Sequence, residues 1–368
     1  MDEFGQLGRS PGPARRAPLV LRWAVRTLLS LQLGLAGVPA IAAAQTAAGP
    51  EFRVTQSTPI GGEGSWDYAQ YDAVSGRLFV TRVGGVLVID TATMKSVGSI
   101  PAYAGTRVHG IAIGRPLGLG VTSDGADKSA TVFDLTTLKV VRRIPLAHAP
   151  DSIVFDPASG DALAFGVDDP DAMALNPVTG KTVADIVLPG SPEAGVADGR
   201  GSVYVDLSDT NEIARLDTRS WKVEAHWAIG GGCKEPTPLD LDRTSARLFI
   251  GCRSGVLAVV DPSRQSLVAS LPIGAGADAV VFDNSSKLIF VSCNDGTLSI
   301  FKEVSPDRFE AVQTVATAFS ARTMALDPRG MRVFLPVADR GPMLPKVGDI
   351  PSRPAIVPET FRILTVSR

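Results

Sequence analysis

A weak repeat of about forty-two residues runs from Trp66 to the end of the chain, and it restricts the fold more than any other feature. Each copy opens on a run of alternating apolar residues closed by an acidic turn. The clearest copies are Asp67 to Asp72, Asp151 to Asp156, Asp278 to Asp283 and Arg322 to Asp327. Three more fit with drift, starting at His109, Glu193 and Thr237. The starting positions are therefore 67, 109, 151, 193, 237, 278 and 322, with gaps of 42, 42, 42, 44, 41 and 44 residues. A period in this range, built of short strands and turns, predicts an all-β, seven-bladed β-propeller of four-stranded antiparallel blades.

The first copy illustrates the blade. Asp67–Tyr71 reads as strand a, Arg77–Thr81 as strand b, Val86–Ile89 as strand c and Ser96–Ile100 as strand d. The turns between them carry Asp, Ser, Thr and Gly, which hydrogen-bond locally or accept left-handed backbone. The same c–turn–d order returns at Thr131–Ile144 and at Leu257–Leu271. Strand a is apolar on both faces, as expected of a strand covered on both sides. The seventh copy supplies only three strands: Arg322–Leu326, Arg332–Pro336 and Phe361–Val366. Its fourth is expected from Phe52–Ile60, so that the two ends of the array close the ring and remove two open sheet edges.

Ahead of the array lies a different kind of sequence. Arg15, Arg16, Arg22 and Arg26 precede an apolar stretch from Leu28 to Ile41, and Ala42-Ala43-Ala44 follows. This pattern predicts a signal peptide over 1–44, a short disordered leader over 45–51 and the propeller over 52–368. It also predicts a periplasmic or secreted location with no membrane span after cleavage. Residues 1–44 carry five Arg against Asp2 and Glu3, so their removal takes the formal charge from −2 to −5. That balance argues against nucleic acid as a partner.

Arg77-Leu78-Phe79-Val80, Arg247-Leu248-Phe249-Ile250 and Leu288-Ile289-Phe290-Val291, each followed by a polar turn and an apolar strand ending near Asp, resemble the YVTN-repeat, YncE-like seven-bladed propellers. Gly232–Asp242 and Ala321–Pro328 resemble an exported bacterial branch of that family. The resemblance spans about residues 52–368. It implies the architecture, and it carries over no catalytic residue.

Strand a begins on the face where strand b ends, so the d–a and b–c connections share one rim around the central channel. The repeat starts then form a ring at the channel mouth: Asp67, His109, Asp151, Glu193, Thr237, Asp278 and Arg322. Converging polar groups at a concave mouth are a default ligand site. The b–c loops and their neighbours add Arg82, Asp124, His148, Asp168, Asp169, Asp209, Arg253, Asn294, Asp295, Asp339 and Arg340 to the rim. No cofactor is predicted, although carboxylates beside a histidine are the chemistry that holds a divalent cation. The last blade carries a long connection from Ala338 to Thr360 with five prolines, a stiff segment expected either to cover the mouth as a lid or to be disordered.

Of the three cysteines, Cys233 and Cys252 belong to one blade and are expected to form a disulfide, leaving Cys293 free. Three reduced thiols, or a copper or zinc site including His109 or His148, are the alternatives, and the spacing matches no compact metal motif. The chain has no nucleophile elbow, dinucleotide fingerprint, phosphate loop or haem-attachment motif. The reading is therefore a binding scaffold for a small ligand, an envelope polymer or a protein. A lactonase-like or other metal-assisted hydrolase using the acidic ring is the alternative.

Overall fold

The computed structural model describes residues 51–103, 106–167, 169–344 and 354–368. The predicted signal peptide and most of the short leader, Asp168, and the middle of the proline-rich connection lie outside the described residues. The rest forms seven four-stranded antiparallel sheets arranged as blades in a ring. No described helix is long and apolar enough to cross a membrane.

Blade 1 is Trp66–Asp72, Arg77–Arg82, Gly85–Asp90 and Lys95–Pro101, as strands a to d. Blade 7 is completed from the other end of the array. Its strands Ala325–Asp327, Arg332–Val337 and Arg362–Ser367 are joined at the outer edge by Arg53–Pro59, which pairs antiparallel with Arg362–Ser367. Its strand a starts three residues later than expected, at Ala325 rather than Arg322. Phe52 anchors the closing strand. Its ring sits 5.6 Å from Phe290 of blade 6, and its main-chain N–H and C=O bond the amide side chain of Gln313 at 2.9 and 2.7 Å.

The repeated acid is explained by the turns. Asp72, Asp90, Asp134, Asp217 and Asp261 each accept hydrogen bonds from main-chain N–H groups two and three residues on. The fourth residue after each, namely Gly76, Met94, Leu138, Trp221 and Gln265, has a positive φ. Four-residue hairpin connections of this kind are commonly built around a type I turn, here closed by one left-handed residue. The aspartate therefore serves the turn and not the mouth at the other end of the strand.

The core is divided among the seven junctions between neighbouring blades. Phe79 and Phe133 meet between blades 1 and 2, Ile144 and Met173 between 2 and 3, and Phe165 and Val205 between 3 and 4. Trp227 and Ile250 meet between blades 4 and 5, Phe249 and Val291 between 5 and 6, and Phe290 and Leu335 between 6 and 7. The last junction, between blades 7 and 1, holds Trp66, Phe334 and Phe361. Each blade is thus buried chiefly by its neighbours, so stability is shared among the junctions between them.

Candidate functional site at the channel mouth

Each ring residue stands where a d–a connection enters strand a, and in four of the seven the main-chain carbonyl is fixed from the blade before. The Thr81 hydroxyl donates to the His109 carbonyl at 2.6 Å, and that of Ser152 to the Glu193 carbonyl at 2.5 Å. Ser123 and Ser292 do the same for Asp151 and Arg322. Short hydroxyl side chains thereby hold successive blade starts in register across the junctions.

Most of these side chains join one ion-pair network. His109 Nδ1 lies 2.9 Å from Asp151 and 3.3 Å from Asp67. Arg322 spans Asp67, at 3.5 Å, and Asp278. Arg253 spans Asp278, at 3.6 Å, and Glu193, at 3.3 Å. Arg107, two residues before His109, adds a 2.8 Å bond to Asp67. Thr237 does not join the network: its hydroxyl bonds the carbonyl of Glu235 at 3.2 Å, and Arg253 supplies the charge in that sector.

The electrostatics follow from burial and these contacts. Burial works against the charged form of His109, yet the hydrogen bonds it donates to Asp151 and Asp67 outweigh it and the pKa rises to about 9. Burial likewise opposes ionised Asp67, but His109, Arg107 and Arg322 hold it below the usual carboxylate range. Glu193 goes the other way. Burial, reinforced by Asp151, Asp278 and Asp67, overcomes Arg253 and raises its pKa to about 7. Below the ring, Tyr68 is pushed well above its ordinary range by burial and by the same carboxylates, so its phenol stays protonated.

Under the mouth lies a cavity of about 280 Å³ whose walls include Tyr68, Ser152, Leu239, Val280, Asp278 and Thr323. Beside the ring, Glu193, Asp209, Glu235, Thr237 and Arg253 line a second depression.

The remaining rim residues are placed as follows. His148 forms its own cluster on blade 3, with Nδ1 3.0 Å from Asp169 and 3.1 Å from Asp171. Arg82 stacks 4.0 Å from the Phe361 ring and donates to the carbonyls of Gly61 and Glu63. Arg340 lies 5.1 Å from the Trp66 ring and bonds Ser320 at 2.9 Å, pinning the first strand of a small hairpin, Arg340–Met343 with Pro354–Ile356. Asn294 uses its main chain to bond Gly276 and Ser320. Asp209 and Asp295 cap local N–H groups, and Asp339 pairs with Arg362 at 2.8 Å. Asp124 is a correction. It is fully buried rather than on the rim, because its carboxylate accepts from Thr122 at 3.0 Å and Thr131 at 2.5 Å inside the hairpin.

The cysteines are arranged as expected. Cys233 and Cys252 form a disulfide, with Cα atoms 5.3 Å apart, and it ties the loop entering blade 5 to the residue next to Arg253. Cys293 is free and buried, and burial pushes its thiol up to about 12.

Arg107 and Tyr68 escaped the sequence reading. The signal for both is position, since each lies within two residues of a repeat start.

Fold and mouth together define the chain as a closed seven-bladed β-propeller. No family profile matches it, and no curated protein matches it in sequence. Among solved structures, it resembles the β-propeller domain of Cps50 (Swd1) from Myceliophteria thermophila, with a TM-score of 0.65 and 13% identity over 86% of this chain and 100% of that one. At that identity the likeness is one of fold.

Proposed function

We propose that this protein is an exported binding scaffold of the YVTN-repeat, YncE-like kind, which engages its ligand at the channel mouth on the top face. One observation carries the reading: six of the seven repeat starts deliver charged side chains into one bonded network above a cavity of about 280 Å³. Groups already held by ion pairs are positioned before a ligand arrives, which lowers the ordering cost of binding. The Arg-rich, apolar N-terminal segment and the Cys233–Cys252 disulfide support export.

The hydrolase alternative depends on a metal ion. Asp67, His109 and Asp151 bring ligand atoms within 4.8 Å of one another, but Arg107 and Arg322 already occupy Asp67. The binding reading predicts that a small-molecule thermal-shift screen finds compounds that raise the unfolding midpoint of the wild type by an amount that changes in the mouth variants Glu193→Gln and Arg322→Met. Calorimetric divalent-ion binding that disappears in Asp151→Ala, accompanied by lactone turnover, would instead favour the hydrolase.

A further inference from the structure

We infer that the mouth receives a small organic cation, a short alkylammonium or alkylguanidinium, whose charged end sits between Asp151 and Glu193. The inference rests on the binding reading above and specifies its ligand.

Seven positions around a ring cannot alternate in sign all the way round, because seven is odd. In blade order the mouth presents Asp67, His109, Asp151, Glu193, Arg253 (in the sector of Thr237), Asp278 and Arg322. His109 joins Asp67 to Asp151, at 3.3 and 2.9 Å. Arg253 joins Glu193 to Asp278, at 3.3 and 3.6 Å. Arg322 joins Asp278 to Asp67. The one junction with like charges is Asp151–Glu193. Each of these carboxylates has its basic partner on the far side, and no basic side chain among the described residues pairs with both. Their blade starts are nonetheless tied together, through the Ser152 hydroxyl on the Glu193 carbonyl.

A cation at this junction would complete the alternation. A divalent metal suits it poorly, since a hard ion needs six or more oxygen ligands and the neighbouring positions offer guanidinium and imidazolium groups. An ammonium or guanidinium needs only acceptors at hydrogen-bonding distance, which two carboxylates provide. The cavity beneath fits the rest of such a molecule. Ile111, Leu239 and Val280 offer apolar wall for a short carbon chain, and Ser152 and Thr323 offer hydroxyls. Thr323 is only 3% exposed, and its hydroxyl has no hydrogen-bond partner among the described residues. A second amine has a place in the adjoining depression beside Asp209 and Glu235.

Glu193 also makes binding depend on pH. The ionisable groups acting on it are Asp151, Asp278, Asp67, Arg253 and the buried Asp206. With its pKa at about 7, the site gains its second negative charge between pH 6 and pH 8, while His109, at about 9, stays largely protonated.

The test is calorimetric titration with butylamine, 1,4-diaminobutane, butanol, butyrate and calcium chloride. Both amines are expected to bind, and more tightly at pH 8 than at pH 6, whereas butanol and butyrate do not. Glu193→Gln and Asp151→Asn are each expected to weaken amine binding about tenfold or more, the worth of a charge-assisted hydrogen bond. Asp169→Asn, in the separate His148 cluster, should leave it unchanged. Amine binding indifferent to both mouth variants, or calcium binding that needs Asp151 and Glu193 where amines give no heat, overturns the inference. Butyrate or butanol binding that is lost in Arg322→Met would overturn it while leaving the mouth as a binding site. If no probe responds to any mouth residue, both readings fall.

Discussion

His109 shows how much one side chain in this ring contributes and when. Its pKa is about 9 in the folded protein against an ordinary value of 6.5. A basic group raised in this way stabilises the fold fully below the unfolded-state pKa, and that contribution is lost as pH climbs through the folded-state value. The expected window of loss therefore runs from about pH 6.5 to pH 9, and the amount is at most about 3 kcal/mol. In His109→Gln the urea midpoint should stay nearly flat between pH 7 and pH 9, where the wild type declines. An equal decline in both proteins would show that Asp67 and Asp151 do not hold the imidazolium. The positions of His109, Asp67 and Asp151 were legible in the sequence because the period delivers them to one mouth. So were Arg322, as a repeat start, and Arg253, as a rim residue. Arg107 was not, because it reaches Asp67 from a connection whose length varies between copies, and a long flexible side chain leaves no periodic trace. His148, read as a rim residue, pairs with Asp169 and Asp171 of blade 3 and does not join the ring network.

At the scale of the element, the hairpin turn is the unit that the sequence states most clearly. The aspartate and the left-handed residue four positions later recur from blade to blade, and they could be read from composition because each meets a local backbone demand. The identity of the left-handed residue was not constrained in the same way. Glycine fills it at Gly76, but Gln265 and Trp221 fill it elsewhere with φ near 52°. The same substitution should therefore have opposite signs at the two sites. Gln265 is exposed, so Gln265→Gly only removes backbone strain and should stabilise by about 0.5–1 kcal/mol. Trp221 packs into the junction between blades 3 and 4. Trp221→Gly should cost about 3 kcal/mol or more, because the lost side chain outweighs the relieved backbone. Denaturant midpoints of the two variants decide it, and a stabilised Trp221→Gly would mean that the junction tolerates a void.

For the molecule as a whole, closure is the property that matters. Seven blades, their antiparallel order and the borrowing of an N-terminal strand were all legible, because a missing fourth strand and an unassigned strand-length segment at opposite ends of the array are complementary defects. What the repeat could not convey was the anchor. Phe52 lies one residue outside the closing strand, buried against Phe290 and bracketed by Gln313. Phe52→Ala is expected to cost about 3–5 kcal/mol, the range for large core aromatics. Because the loss falls on the closing seam, limited proteolysis should then cut first near residues 52–60, and uniform cleavage around the ring would contradict a seam.

The closing strand also gives the fold a clock. Arg53 pairs with Ser367. The first strand of the array to be made is therefore partnered by the last, and at 5–20 residues per second the interval between them is roughly 15–60 s. Throughout that time the outer strand of blade 7 waits without the three strands it completes, and the junction holding Trp66, Phe334 and Phe361 is unsealed. A newly made chain must keep a β-edge and an aromatic seam from pairing with other chains for far longer than a single hairpin takes to form. The feature that leaves the finished ring without a gap is thus the one that most exposes the growing chain to aggregation.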